Sequence, residues 1–275
     1  MTQILSIKEP FVLENGAVLT DLDIAYQTYG QLNAARDNVI WIGHALTGNA
    51  EADTWWNGLF GPGQLFDSSK WFIVCANMLG SCYGTAGPSS HNPLTGKPYH
   101  LDFPLITVRD MAMVHDLLRK YLGIESIQLA IGGSMGGQQM LEWAYLRPSL
   151  IHQLALLATN AVHSPWGIAF NEAQRMAIQA GIISNDPEAL KKGLEAARAI
   201  GMLSYRNYHT FSHTQKETED KIDQFKAASY QNYQGQKLSK RFNPHSYLVL
   251  SKAMDSHNLG RGRGGLEEAL SQIKA

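Results

Sequence analysis

A serine set among glycines, Gly132-Gly133-Ser134-Met135-Gly136, is the first place in this chain where covalent chemistry can be read. The pattern G-x-S-x-G describes a turn so sharp that its serine hydroxyl stands clear of the backbone, provided a strand leads in and a helix leads out. Both conditions are met here. Ile127 to Ile131 is an apolar run of strand length, and Met135 to Tyr145 is a good helix former with Met140, Leu141 and Ala144 on one stripe. The glycines fit such a turn because a Cβ at those positions would strike the adjoining strand and helix. Ser134 is therefore the candidate nucleophile. Alone it is a weak one, needing a base to take its proton and N–H donors to hold an oxyanion.

One such donor is the amide that follows the serine, on Met135; the other belongs to the loop after the strand two before it. Asn38 to Ile42 is a short, almost wholly apolar run, the mark of a strand covered on both faces, and it ends in Gly43-His44-Ala45-Leu46-Thr47-Gly48. The backbone N–H groups of Leu46 and Met135 are the expected oxyanion donors. Their side chains carry no part of that role.

The elements that must hold these groups follow from pattern. Phe11 to Leu19 and Leu22 to Gly30 read as two antiparallel strands meeting at Thr20-Asp21, and Trp71 to Met78 as a further buried strand. Leu79 to Leu105 is long and irregular but too rich in aromatic and particular small residues to be disordered. Val108 to Tyr121 is an amphipathic helix expected to turn Met111, Met113, Val114, Leu117, Leu118 and Tyr121 inward, with Gly123 as its left-handed cap. Ile151 to Ala158 is another strand. Strands alternating with helices in this way imply an α/β fold, a mostly parallel sheet with helices on both faces. From Trp166 to about Asn258 the pattern changes to helices alone, expected over 168–182, 187–202, 215–234 and 244–257, and 264–274 then forms a last amphipathic helix. The expected organisation is a core over 1–162, an all-helical insertion or lid over 163–259, and a return to the core over 260–275.

Bulk properties exclude several classes. The net charge of −1 gives no long-range attraction to nucleic acid or to a membrane surface. No apolar run approaches the roughly 20 residues that cross a bilayer, and the first twelve residues show no basic-then-apolar secretory pattern. Cys75 and Cys82 form neither a disulfide framework nor a zinc motif, and no metal site is expected. The expectation is a cytoplasmic protein.

Longer stretches carry a resemblance. His44-Ala45-Leu46-Thr47-Gly48, Asn92 to Tyr99 followed by Asp102-Phe103-Pro104, Gly132 to Trp143, Phe170 to Arg175, Ser246-Tyr247-Leu248 and Gly260 to Gly265 together resemble the homoserine O-acetyltransferase family. The resemblance implies an α/β-hydrolase core with a helical lid and a two-step acetyl transfer: Ser134 takes the acetyl group from acetyl-CoA, and the hydroxyl of L-homoserine then accepts it. It also implies that Arg206 binds the acceptor's carboxylate, which suits a guanidinium that forks onto two oxygens. It further implies no bound cofactor, acetyl-CoA being a co-substrate, and a homodimer formed through the helical lid. Gly84-Thr85-Ala86-Gly87-Pro88 and Asn49 depart from the family pattern, which puts substrate detail in doubt.

The family's catalytic Asp and His follow the helical insertion, so they are expected beyond Ala275, and this chain is expected to be a truncated form with little activity. Among its ten histidines, His44 falls in the oxyanion loop, and His163, His209, His213, His245 and His257 in the helical block. His91, His100 and His152 fall in loops or at a strand start. None reads as a displaced base. Serine as acceptor or a succinyl donor, a lidded serine hydrolase, and a non-catalytic remnant are the competing expectations.

Overall fold

The computed structural model describes residues 1–275 and divides into two compact units: 1–163 with 252–275, and 164–251. The first unit carries a six-stranded sheet. Its strands are β1 (Gln3–Ile7), β4 (Leu22–Tyr29), β5 (Val39–Gly43), β6 (Phe72–Ala76), β9 (Leu129–Gly133) and β10 (Leu154–Leu157), in the spatial order β1-β4-β6-β5-β9-β10. Antiparallel two-residue pairs stand outside this sheet, β2 (Phe11–Val12) with β3 (Val18–Leu19) and β7 (His91–Asn92) with β8 (Lys97–Pro98). Strands β6, β5, β9 and β10 run parallel, while β4 pairs antiparallel with both β1 and β6. Every residue of β5 is buried, as its unbroken apolar run requires of a central strand. A four-residue helix, α1 (Ala52–Trp55), follows the loop after β5.

Helix α2 (Val108–Tyr121) opens with a full capping box, Thr107 and Asp110 bonding each other's backbone N–H, and closes on Gly123 at φ +68°. Helix α3 (Met135–Leu146) follows β9 directly. Between β6 and α2 the irregular segment is ordered by Thr85. Its buried hydroxyl bonds Asn77 O at 2.7 Å and accepts from Ala25 N at 2.9 Å.

The second unit is helical: α4 (Pro165–Ile183), α5 (Pro187–Tyr205), α6 (Tyr208–Thr214) and α7 (Lys226–Ser239), with most of α8 (Pro244–Asp255). Pro165 and Pro187 each sit in the first turn behind a capping Ser164 or Asp186. Gly193 and Gly181 let α4 and α5 touch, since a Cβ on Gly181 would lie 2.4 Å from Ala189 O. A short helix, α9 (Leu266–Ser271), completes the first unit.

Several expectations need correction. Residues 11–19 are not one strand, because Asn15-Gly16, with Gly16 at φ +85°, turns the chain between β2 and β3. The antiparallel partner of β4 at the sheet edge is β1, whose alternating pattern is too exposed to stand out in the sequence. Met113 and Tyr121 point outward, 40% and 60% exposed. The inner stripe of α2 instead takes Ala112, His115 and Asp116, the last an acid satisfied by Arg119 and Arg147. Of the helix expected over 215–234 only the second part forms, as α7 from Lys226, because 215–225 is irregular with Gln224 at φ +58°; α6, over Tyr208–Thr214, lies outside every expected helix. The chain rejoins the core at Lys252 and not at 260. His163 N–H bonds His257 O at 2.9 Å, Leu259 N–H bonds Ala161 O at 2.8 Å, and Arg109 bonds the carbonyl of Asn258, so 257–259 belong to the first unit. His163 and His257 therefore both lie in the first unit, outside the helical block, which begins at Ser164. The last helix spans 266–271, shorter than the 264–274 of its apolar pattern, because Gly264 and Gly265 both take positive φ.

Candidate active site

Strands β5 and β9 are hydrogen-bonded neighbours with Gly43 in register with Gly132, so the loop after β5 and the turn after β9 leave the sheet side by side. Backbone meets backbone there. A Cβ on Gly132 would lie 2.4 Å from Gly136 C, and one on Gly136 would lie 2.1 Å from Gly43 O and 2.9 Å from His44 O. Only glycine permits that approach, which seats the start of α3 against the 43–48 loop.

Ser134 sits at the point of the turn with φ +52° and ψ −124°. That conformation costs a non-glycine residue about 1–3 kcal/mol and is held only where the surroundings impose it. Here Ser134 N–H bonds Leu157 O at 2.9 Å, and the Ser134 carbonyl accepts from Gly137 N, Gln138 N and Thr159 Oγ1. The backbone is fixed on both sides while the side chain caps no helix amide and the residue stays exposed. A strained, pinned serine with a free hydroxyl is the geometry of a nucleophile.

Met135 and Leu46 are buried, and neither backbone N–H donates to an acceptor within the chain. The Met135 amide is at the first turn of α3, where unpaired N–H groups and the helix dipole favour negative charge. The Leu46 amide lies in the loop that Gly136 touches. The structure thus brings Ser134, Met135 and Leu46 to one end of two adjacent strands.

His44, 1% exposed, holds that loop from behind. Its Nδ1 lies 2.9 Å from Ala45 O and its Nε2 accepts from Met78 N–H at 3.1 Å. Those partners require a neutral ring with the proton on Nδ1, and burial pushes its pKa down to about 4. Behind α3, His115 bonds Gln139 Oε1 at 2.9 Å and packs against Trp41 and Trp143; burial pushes it down to about 4 as well. Nothing in the apolar pattern of α2 marks His115 in the sequence. His257 bonds Asn160 O at 3.2 Å through Nε2, and burial sets its pKa at about 4. No histidine of this unit hydrogen-bonds the Ser134 hydroxyl.

Arg206 belongs to the helical unit, at the C-terminal cap of α5. It is exposed, and its Nη2 donates to Tyr230 Oη at 2.7 Å. Arg206 and Tyr230, with Thr210, Phe211, Thr214 and Gln215, line an open cleft of about 190 Å³. A guanidinium beside a phenol hydroxyl, with hydroxyl and amide groups around it, offers several donors to a small carboxylate. Tyr230 could not be foreseen, since it is 24 residues from Arg206 in sequence.

A family model described as the alpha/beta hydrolase fold matches residues 38–180. The chain is 56% identical over its whole length to a homoserine O-acetyltransferase of Cyclobacterium marinum, spanning 79% of that protein. It is 48% identical to one of Chlorobaculum tepidum, covering 99% of this chain and 78% of that one. Among solved structures, the homoserine O-acetyltransferase of Bacillus anthracis superposes on all of this chain with TM-score 0.90 at 27% identity, covering 81% of that chain. Esterase E22 does so with TM-score 0.89 at 25% identity, covering 83% of that chain.

Proposed function

The chain belongs to the homoserine O-acetyltransferase family, built on the alpha/beta hydrolase fold, and from that premise we propose that Ser134 carries an acetyl group from acetyl-CoA to the hydroxyl of L-homoserine, a step of methionine biosynthesis. Ser134 Oγ adds to the thioester carbonyl, and the oxyanion rests on the N–H groups of Leu46 and Met135. The C–S bond then breaks, the Ser134 hydroxyl proton passes to the sulfur so that CoA leaves as its thiol, and the acetyl group stays on oxygen. The homoserine hydroxyl adds to that ester in turn, its C–O bond forms as the acyl C–Oγ bond breaks, and its proton ends on Ser134 Oγ, which is thereby restored. The observation that carries this reading is the pinned, positive-φ Ser134 beside two unpaired amides. Arg206 is proposed as the anchor of the acceptor's carboxylate.

Esterases of nearly the same fold favour a second reading, in which water replaces the amino-acid hydroxyl. The two differ only in what collects the acetyl group. A homodimer through the helical unit is proposed as well, supported by exposed Trp166, Met176 and Ile183 on α4, and sedimentation velocity tests it.

The test of function is to incubate the chain with acetyl-CoA and map the adduct by mass spectrometry. Acetyl is expected on Ser134 and absent from Ser134→Ala, and homoserine should discharge it faster than water does. Acetyl on another residue overturns the assignment, and discharge indifferent to homoserine favours the hydrolase. With no histidine on the Ser134 hydroxyl, acylation is expected to keep only the roughly 10³–10⁴-fold advantage over water that binding and an oxyanion hole give a triad without its base.

A further inference from the structure

We propose that His44 is the residue that aims the oxyanion hole, by clamping the peptide whose N–H belongs to Leu46. The inference rests on the reading of Leu46 as an oxyanion donor and adds a positioning residue to it.

The geometry runs through one peptide unit. In a trans peptide the carbonyl and the following N–H point in opposite directions from one rigid plane. Ala45 O and Leu46 N–H are the two ends of such a plane, so whatever fixes the carbonyl fixes the direction of the donor. Ala45 O is held twice, by Nδ1 of His44 at 2.9 Å and by Gly48 N–H at 2.8 Å. The ring in turn is held at its far nitrogen by Met78 N–H at 3.1 Å, just past the end of β6. The line β6–Met78–His44–Ala45–Leu46 thus ties the donor to the sheet, which the loop's own Gly48 contact does not do.

Two further features agree. Ring and loop are packed closely, since a Cβ on Gly48 would lie 3.0 Å from His44 Cβ and 3.2 Å from both Nδ1 and Ala45 O. A hydrogen bond onto a peptide oxygen also polarises the amide and makes its N–H a better donor. Burial keeps the ring neutral down to about pH 4, so the acceptor nitrogen that Met78 needs persists at any ordinary working pH. His44 touches no reacting atom in this account and acts only through the peptide.

Three variants of the full 275-residue chain separate aiming from mere packing. The amide nitrogen of Asn stands where Nδ1 stands, and can still hold Ala45 O. The amide of Gln stands where Nε2 stands and can meet only Met78. The assay is acylation by acetyl-CoA, read as first-order release of CoA thiol and as the half-saturating concentration, with Ser134→Ala run beside it. Removing one oxyanion donor outright costs about 10²–10³-fold in rate. His44→Gln and His44→Ala should therefore lose roughly 30-fold or more in rate with half-saturation nearly unchanged. His44→Asn should recover about tenfold over His44→Gln, although thermal unfolding shows Asn and Gln variants equally destabilised. Equal rates for Asn and Gln variants overturn the proposal. If Ser134→Ala acylates like its parent, the nucleophile reading fails first. A crystal structure of His44→Gln decides the matter whatever the rates: the Ala45–Leu46 peptide should be turned by more than the ~20° a productive site tolerates. An unmoved peptide refutes the clamp.

Discussion

Replacing Gly136 by alanine should damage both stability and chemistry. The new Cβ would lie 2.1 Å from Gly43 O, 2.5 Å from Gly43 C and 2.9 Å from His44 O. All three are backbone atoms, so no side chain can swing away. Cβ contacts below 3.0 Å essentially do not occur, and reaching that floor from 2.1 Å demands a relative shift of about 0.9 Å between α3 and the loop after β5. Alanine at this second position of α3 would by itself gain at most about 1 kcal/mol over glycine. Overpacking against rigid backbone costs about 1–3 kcal/mol and occasionally more. With three backbone atoms struck and no side chain able to yield, the collision falls at the top of that range, about 3 kcal/mol, so the net loss is about 2 kcal/mol, lowering Tm by roughly 4–8 °C for a chain of this size. The same shift separates the Leu46 amide from that of Met135, and a misplacement near 1 Å costs about 10²-fold in rate. Differential scanning calorimetry and acylation by 4-nitrophenyl acetate measure the two effects. Gly58→Ala is the control, because a Cβ there meets nothing within 4 Å. A Gly136→Ala protein that melts and acylates like its parent would refute the crowding argument.

Acid should weaken the fold before any carboxylate titrates in the unfolded chain. His44, His115 and His257 are held near pKa 4 by burial, against 6.5 in the unfolded chain. Between those values the unfolded state binds the extra protons, so stability is full above pH 6.5 and falls as pH drops toward 4. The loss is about 2 kcal/mol per histidine by pH 5, and urea unfolding at pH 7 and pH 5 that gives equal stabilities contradicts it. Glu142, 1% exposed, sits 2.8 Å from Arg263 and 3.5 Å from Arg109, with burial raising its pKa against the pull of both arginines. Glu142→Ala removes the buried carboxylate that Arg263 and Arg109 share, but Arg109 keeps Glu14 and Arg263 keeps Leu259 O, so the loss should stay below the roughly 3–5 kcal/mol of a fully broken buried pair, at about 2 kcal/mol. A urea midpoint matching the parent's would mean the cluster contributes nothing.

The central elements could be read from local pattern because local physics decides them. Val39 to Gly43 and Phe72 to Ala76 are apolar at nearly every position, and a strand buried on both faces allows little else. The elbow at Ser134 is likewise a matter of adjacent residues: apolar run, glycines, helix former. What failed was decided at a distance or by one turn. Residues 11–19 carry a strand-like composition, yet Leu13 N–H bonds Ala17 O and the Asn15 side chain caps Ala17 N–H, so the chain reverses. An apolar stripe also says nothing about the polar residues beside it. His115 and Asp116 ride on the inner face of α2 because Gln139 meets one nitrogen of the ring and Arg147 meets the carboxylate, each more than twenty residues on.

The candidate site divides along the same line. Residue type named Ser134, and chain position named Leu46 and Met135, because a nucleophile elbow fixes where its donors come from. Aim is different, being a property of peptide planes and of what holds them. Nothing in His44-Ala45-Leu46 as letters says that the ring turns back onto the next carbonyl, or that Met78, 34 residues away, fixes its tautomer. Arg206 shows the converse. An arginine at a helix end is ordinarily solvated, and composition gives no reason to single it out; its cleft exists because α7 brings the Tyr230 hydroxyl to 2.7 Å from its Nη2. In both cases a group that looks ordinary in sequence is held in direction by a second element. Substituting the second element, Met78 or Tyr230, is therefore as informative about chemistry as substituting the donor itself.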